Sequence, residues 1–104
     1  MSVYVIALLK ITNEHFYRRY QRRFSEVFAK FHGRLLCADE SPLLLEGKWG
    51  GDKIVIMSFD TEANAQTFIQ STEYSEISKD RIAGTETVSF LVKALEQSSL
   101  TTRS

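Results

Sequence analysis

The chain has almost no cysteine or proline: Cys37 and Pro42 are the single examples among 104 residues. One cysteine cannot form an internal disulfide and fits a reducing compartment, so we expect a cytoplasmic protein. The apolar stretch near the start, 3–9, ends at Lys10 and is far shorter than the roughly twenty residues that a membrane span needs. It also lacks the basic flank and the small-residue cleavage pattern of a signal peptide, so we expect no membrane partner.

Net charge is absent as well, because 13 Lys and Arg side chains balance 13 Asp and Glu. No overall field draws the chain to nucleic acid, and the first and third predicted strands lack the basic and aromatic pattern that stacks bases. Two histidines and one cysteine lie far apart without zinc-site spacing. No glycine-rich phosphate loop occurs. We therefore expect no nucleic-acid partner, no metal and no cofactor.

What is present is a pair of segments that are apolar at every position, 3–9 and 54–57. A strand points alternate side chains to opposite faces of its sheet, so a strand with one wet face alternates apolar and polar residues. These two segments do not alternate, and the chain carries only enough predicted helix to cover one face. We therefore expect a homodimer in which the helix-free face of the sheet packs against a second copy.

Turn and cap signals place these segments in a β-α-β, β-α-β order. The first predicted unit has a strand at 3–11, a helix from Asn13 to a stop at Gly33, and a second strand at 34–38 with an extended continuation at 43–49. A hairpin-type turn at 50–52 leads to the second unit. That unit has a third strand at 53–59, a helix capped by Asp60 or Thr61, a short helix from 71–73 to Gly84, and a fourth strand at 86–94. Two such units with right-handed crossovers form a ferredoxin-like α+β fold. Its four-stranded antiparallel sheet has the order 4-1-3-2, with both helices on one face. We expect one domain at 1–96 and a flexible tail at 97–104.

Several short segments are similar to those of one family. The stretch 45–49 (LEGKW) followed by 53–56 (KIVI) resembles the L-E-G-x-W and R/K-V-V-V segments of the family called domain of unknown function 1330. The family's S-P-E-Y helix start, its R-x-A helix end and its G-G-R turn resemble 71–74, 81–83 and 33–34. The chain departs from the family pattern at Phe31, His32, Ala38 and Thr72.

The resemblance implies a dimeric α+β barrel built from two back-to-back sheets. Relatives of the family include cofactor-free monooxygenases and muconolactone isomerase-like proteins. It implies no particular reaction.

A cleft between the sheet and its own helices is the expected ligand site. The residues that we expect to bind a ligand there are Arg34, Glu46, Trp49, Ser58, Tyr74 and Arg81, with Tyr4 and Phe68 as walls. An arginine can hold a carboxylate or enolate oxygen with two hydrogen bonds.

The catalytic residues are not identified by the sequence; Glu46 as a general base and Arg81 are the candidates. Glu46 and one arginine are alternatively a structural ion pair. Trp49 either stacks on an aromatic ligand or fills the dimer seam.

Three functions remain open. The first is a homodimer that binds a small apolar or aromatic molecule between sheet and helices. The second is a cofactor-independent monooxygenase- or isomerase-like enzyme, and the third is a structural dimer module with a filled core. A cavity of a few hundred Å³ would favour the first two over the third.

Overall fold

The computed structural model describes residues 1–95; the predicted tail at 97–104 lies outside them. The elements in chain order are β1 (Val3–Ile11), α1 (Glu14–Phe28), β2 (Gly33–Asp39), β3 (Lys53–Phe59), α2 (Glu62–Ile69), α3 (Thr72–Gly84) and β4 (Thr85–Lys93). Side chains of Asn13, Thr61 and Ser71 accept hydrogen bonds from backbone N–H groups at the starts of α1, α2 and α3. These caps satisfy donors that have no partner within a helix, which fixes where each helix begins.

The strands form one antiparallel sheet of order β2-β3-β1-β4, which is the order 4-1-3-2 counted from the other edge. The fold is therefore ferredoxin-like α+β, and the two strands without a polar side, β1 and β3, lie in the centre. Cross-strand pairing brings Val5 opposite Met57 and Val3 opposite Phe59, all of which are buried beneath the helices. The helices thus cover one face of the sheet.

Aromatic packing joins the helices to that face around Phe68, which is fully buried. Its ring contacts five other aromatic rings at centroid distances from 4.4 to 6.2 Å: Phe24, Phe28, Phe31, Phe59 and Tyr74. Edge-to-face and tilted ring pairs of this kind contribute beyond the area they bury. Phe68 is therefore the centre of the core.

The prediction that 43–49 continues the second strand is wrong, and so is the hairpin-type turn at 50–52. Residues 40–52 form one long irregular connection between β2 and β3. Asp39 already pairs with Ile54 near the start of β3, so this segment has no neighbouring strand with which to form a ladder. At its end the Asp52 carboxylate accepts a hydrogen bond from the Ile11 backbone N–H (2.7 Å), which fixes the segment to β1.

The first helix also ends earlier than predicted, at Phe28 instead of near Gly33. Tighter backbone hydrogen bonds from Lys30 to Val27 and from Phe31 to Phe28 close the last turn. Gly33 is the first residue of β2 and has no positive φ angle. A Cβ at this position would lie 2.6 Å from the Phe59 ring and 2.7 Å from the Phe28 ring. The glycine is needed for close ring packing and not as a left-handed cap.

The opposite face of the sheet carries no helix. We call it the helix-free face. Its apolar centre consists of Tyr4, Ile6 and Leu8 of β1, Ile54 and Ile56 of β3, and Val88, Phe90 and Val92 of β4, and Ser58 lies beside them on β3. The β2 edge adds Arg34, Cys37 and Asp39 to this face, and Lys10 and Glu86 pair at one end of it. Phe90 leaves 52% of its surface exposed. An apolar surface of this extent is unusual on a protein that stays alone in water.

A second exposed apolar surface lies on the connection 40–52. Leu43 and Leu45 are 84% and 89% exposed, and Leu44 is half exposed. We call residues 43–45 the leucine arm.

Of the helices in residues 1–95, none combines the length and the apolar character that crossing a membrane requires.

Candidate functional site

A cavity of about 290 Å³ lies between the helix-covered face of the sheet and the helices. Its floor consists mainly of apolar strand residues, Val5, Ala7, Leu9, Val55 and Met57, with Thr87 and Ser89 of β4 at one side. Its roof is largely aromatic and comes from the helices: Tyr17, Tyr20, Phe24, Phe68 and Tyr74. The volume is close to the lower end of the range for small-molecule pockets, about 300–1,000 Å³.

Two tyrosine hydroxyls meet in the roof. The hydroxyl oxygens of Tyr20 on α1 and Tyr74 on α3 lie 3.1 Å apart and form one hydrogen bond. Burial, reinforced by Tyr74, raises the pKa of Tyr20 well above its ordinary value, while the positive charge of Arg81 opposes the rise. Tyr20 therefore stays protonated at neutral pH and acts as a hydrogen-bond partner, not as a base.

Arg81 lies on α3 and lines the same cavity. Its Nε atom is buried and has no hydrogen-bond partner within residues 1–95. Tyr74 and Arg81 are seven residues apart, about two helical turns, so both side chains project from the same face of α3. The spacing explains why one helix supplies both groups to one cavity.

A second cation, Lys53, lines the cavity from the first position of β3 and is almost fully buried. Its Nζ atom lies 3.4 Å from a Glu40 carboxylate oxygen and 5.1 Å above the Tyr17 ring. Arg18 donates a hydrogen bond to the same Glu40 carboxylate (2.8 Å) and, helped by Lys53, lowers the pKa of that carboxyl to about 2. Glu40 therefore remains ionised and compensates the charge of Lys53.

The cavity lining carries positively charged side chains but no negatively charged ones. It contains Arg81 and Lys53 but neither aspartate nor glutamate. Lys53 already pairs with Glu40, whereas Arg81 pairs with no carboxylate in the described part of the chain. The cavity therefore offers positive charge and hydrogen-bond donors on a mainly apolar surface, to which Gln21, Ser25, Thr87 and Ser89 add neutral polar groups.

The structure brings together only part of the predicted site. Tyr74 and Arg81 line the cavity, with Phe68 as a wall. Ser58 and Tyr4 are paired across β3 and β1 on the helix-free face, which corrects their expected place in the cleft.

Arg34, Glu46 and Trp49 also lie away from the cavity lining. The side chain of Arg34 is 68% exposed and lies 3.6 Å from Asp60, so its ionic partner is not Glu46. Glu46 and Trp49 belong to the connection 40–52, where the Trp49 ring covers Gly51 closely enough to leave no room for a Cβ. The roles predicted for these residues remain predictions, but the cavity is not where they would act.

Sequence reasoning missed Tyr20 and Lys53. Tyr17, Tyr20 and Phe24 follow the apolar stripe of α1, and such a stripe by itself indicates only a buried core face. Two tyrosines within such a stripe are a usable signal, since a buried phenol hydroxyl needs a polar partner. Lys53 at the start of an apolar strand carries the same kind of signal.

Metal ligands are not gathered at the cavity or elsewhere in the described residues: within 1–95, no group of three or more His, Cys, Asp and Glu side chains is placed to hold an ion. The sheet order, the helical layer and the cavity together define a ferredoxin-like α+β domain with a pocket between sheet and helices. The chain belongs to the DUF1330 family, described as a domain of unknown function, whose model matches residues 2–95. No curated protein matches the sequence.

Solved structures show the same fold. RPA0582, a protein of unknown function from Rhodopseudomonas palustris, is 19% identical, with a TM-score of 0.77 over 91% of this chain and 83% of that one. SnoaB, a cofactor-independent oxygenase from Streptomyces nogalater, is 12% identical, with a TM-score of 0.67 over 92% and 95%. A dimeric ferredoxin-like protein of unknown function from Thermobifida fusca is 15% identical, with a TM-score of 0.65 over 90% and 92%. At these identities the likeness concerns the fold.

Proposed function

We propose that the protein binds a small apolar or aromatic molecule in the cavity between sheet and helices, and that it does so as a homodimer joined through the helix-free face. The observation that carries the ligand proposal is the cavity of about 290 Å³ with an apolar floor and an aromatic roof. A filled core would have favoured a purely structural dimer module. The open volume supports a binding protein instead.

Filling the cavity from its floor tests the ligand proposal. Ala7 lies on central strand β1 and lines the cavity, so Ala7→Leu places three more carbon atoms in the space that a ligand needs. We expect the affinity for 2-naphthamide, a neutral two-ring aromatic probe, to fall by about tenfold or more through steric exclusion. Isothermal calorimetry measures the affinity, and circular dichroism checks the fold.

The matched control is Ala63→Leu, the same change at an exposed position near the start of α2. It should leave the affinity for 2-naphthamide unchanged. Equal affinities of the Ala7→Leu variant and the wild type would show that the probe binds outside the cavity. Failure of the wild type to bind 2-naphthamide or its carboxylate analogue, 2-naphthoate, would contradict the ligand proposal.

Two uncovered apolar surfaces support the homodimer. The helix-free face exposes Val88, Phe90 and Val92, and the leucine arm projects three leucines away from their own chain. Stacking two helix-free faces removes the first of these surfaces from water, and apolar area removed from water is the main favourable contribution to association. The Thermobifida fusca neighbour, described as dimeric, has the same fold.

A second candidate function is a cofactor-independent oxygenase or an isomerase. One observation favours it: a lining with donors and cations but no carboxylate suits the stabilisation of a phenolate or enolate, the reactive form of a substrate that supplies its own electrons. The fold similarity to SnoaB agrees with this candidate. Glu46, the base expected from the sequence, is not part of this cavity.

Oxygen uptake separates the two candidates. The monoanion of 1,4-dihydroxynaphthalene gives two electrons and its remaining hydroxyl proton to O₂; with one further proton from water this forms 1,4-naphthoquinone and H₂O₂. If the cavity promotes such reactions, the wild type should accelerate O₂ consumption above the buffer rate, and Arg81→Met should remove the acceleration. An unchanged rate with saturating protein would exclude phenolate oxidation in the cavity and leave the binding proposal intact.

A further inference from the structure

We propose that the cavity selects ligands with an anionic oxygen, held by Arg81 and by the unshared hydroxyl hydrogen of the Tyr20–Tyr74 pair. The proposal names the ligand class of the pocket and so rests on the proposed binding function. The ligand is an aromatic or apolar body that ends in a carboxylate, a phenolate or an enolate.

Arg81 supplies the first reason. Its guanidinium has five N–H donors and no acceptor, and it stays charged at any physiological pH. The Nε atom is buried in the cavity wall without a partner in residues 1–95. Because Nε is itself closed off from the cavity, an anion there would be held by the terminal N–H groups of the same guanidinium, and it would give the unpaired charge of Arg81 a charge-assisted hydrogen bond.

The tyrosine pair supplies the second reason. Two hydroxyls that share one hydrogen bond use one of their two hydrogens and leave the other for a further acceptor. Arg81 lies near enough to Tyr20 for its charge to influence the pKa of that phenol. A ligand oxygen near Tyr20 and Arg81 can therefore receive a neutral and a charged hydrogen bond together.

The remaining residues of the cavity lining argue against a cationic ligand. A cationic ligand would meet Arg81 and Lys53 and would find no aspartate or glutamate in the lining. Lys53 is already paired with Glu40, which leaves Arg81 as the cation that an incoming anion would neutralise. The ligand body would lie on the apolar floor and against the Phe68 ring, whose centroid is 4.4 Å from that of Tyr74.

A matched pair of probes tests the selection. The probes 2-naphthoate and 2-naphthamide have nearly the same shape, and only the first is an anion at neutral pH. We expect the wild type to bind 2-naphthoate at least about tenfold more tightly. We expect Arg81→Met to weaken 2-naphthoate binding by about 10- to 100-fold while changing 2-naphthamide binding by less than about threefold.

The control variant is Arg34→Met, which removes an exposed arginine that pairs with Asp60 outside the cavity. It should change neither affinity. Equal binding of the two probes by the wild type, or an unchanged preference in Arg81→Met, would overturn the anion selection while leaving the cavity a binding site for neutral aromatics. Absence of binding by both probes would instead refute the proposed function itself.

A measurement on the wild-type protein covers the case in which Arg81→Met does not fold. The probe 2-naphthol changes its absorbance when it ionises, so its pKa can be measured free and bound. If donors and positive charge outweigh the loss of water around the oxygen, the bound phenol should ionise at a pH about one unit or more lower than the free phenol. A pKa that is unchanged or raised on binding would contradict the proposal.

Discussion

Phe68→Ala should lower the free energy of unfolding by about 3–5 kcal/mol, a large share of the stability of a domain of this size. Phe68 is fully buried and contacts aromatic rings from α1, β3 and α3. Removing its ring takes away burial and leaves a hole that the five neighbouring rings cannot close without losing their own contacts. Denaturant unfolding followed by circular dichroism measures the change.

The control for this variant is Ile82→Ala on α3, where the side chain is 67% exposed. It should change the unfolding free energy by no more than about 0.5 kcal/mol. A loss below about 1.5 kcal/mol for Phe68→Ala would mean that the core rearranges around the hole. The central position of Phe68 would then be wrong.

Phe90→Asp should convert the proposed homodimer to a monomer, with a dissociation constant raised by at least about a hundredfold. Phe90 lies on the helix-free face opposite Ile6, and edge strand β4 leaves half of it exposed in the single chain. The aspartate is therefore tolerated by the isolated domain. In a face-to-face dimer each copy would bury an unpaired carboxylate, and the symmetry of the pair applies that cost twice.

Sedimentation equilibrium at micromolar concentration measures the effect, with Ile82→Asp as the matched change from an exposed apolar residue to aspartate. The control should remain dimeric. A monomeric wild type would refute the homodimer. A wild type and a Phe90→Asp variant that are both stable dimers would instead place the interface on another surface.

The pattern of side chains predicted the sheet because strand geometry is local. The lack of alternation in 3–9 and 54–57 indicated central strands with two covered faces, and β1 and β3 occupy those positions. The caps at Thr61 and Ser71 were likewise visible, because a capping side chain bonds to a backbone group only a few residues away.

The candidate site was harder to predict because β1 and β3 are apolar on both of their faces. When both faces of a sheet are apolar, the sequence does not tell which face the helices cover. Ser58 was expected in the cleft, yet its neighbour Met57 points to the helices and Ser58 points away from them. Residues 43–49 were wrongly predicted to continue the second strand for a different reason. The path of an irregular connection depends on tertiary contacts, and no periodic pattern in the sequence indicates these.

The register between β2 and β3 shifts at Leu36. Leu35 pairs with Met57 and Cys37 pairs with Ile56, so Leu36 is an extra residue on β2. A bulge of this kind bends and twists the outer strand and interrupts the regular row of backbone donors and acceptors on its open side. A bulged edge is a poorer template on which strands of other molecules could add to form a continuous ribbon. The β2 edge of the sheet is thereby protected against fibril-like growth, although much of the neighbouring surface is apolar.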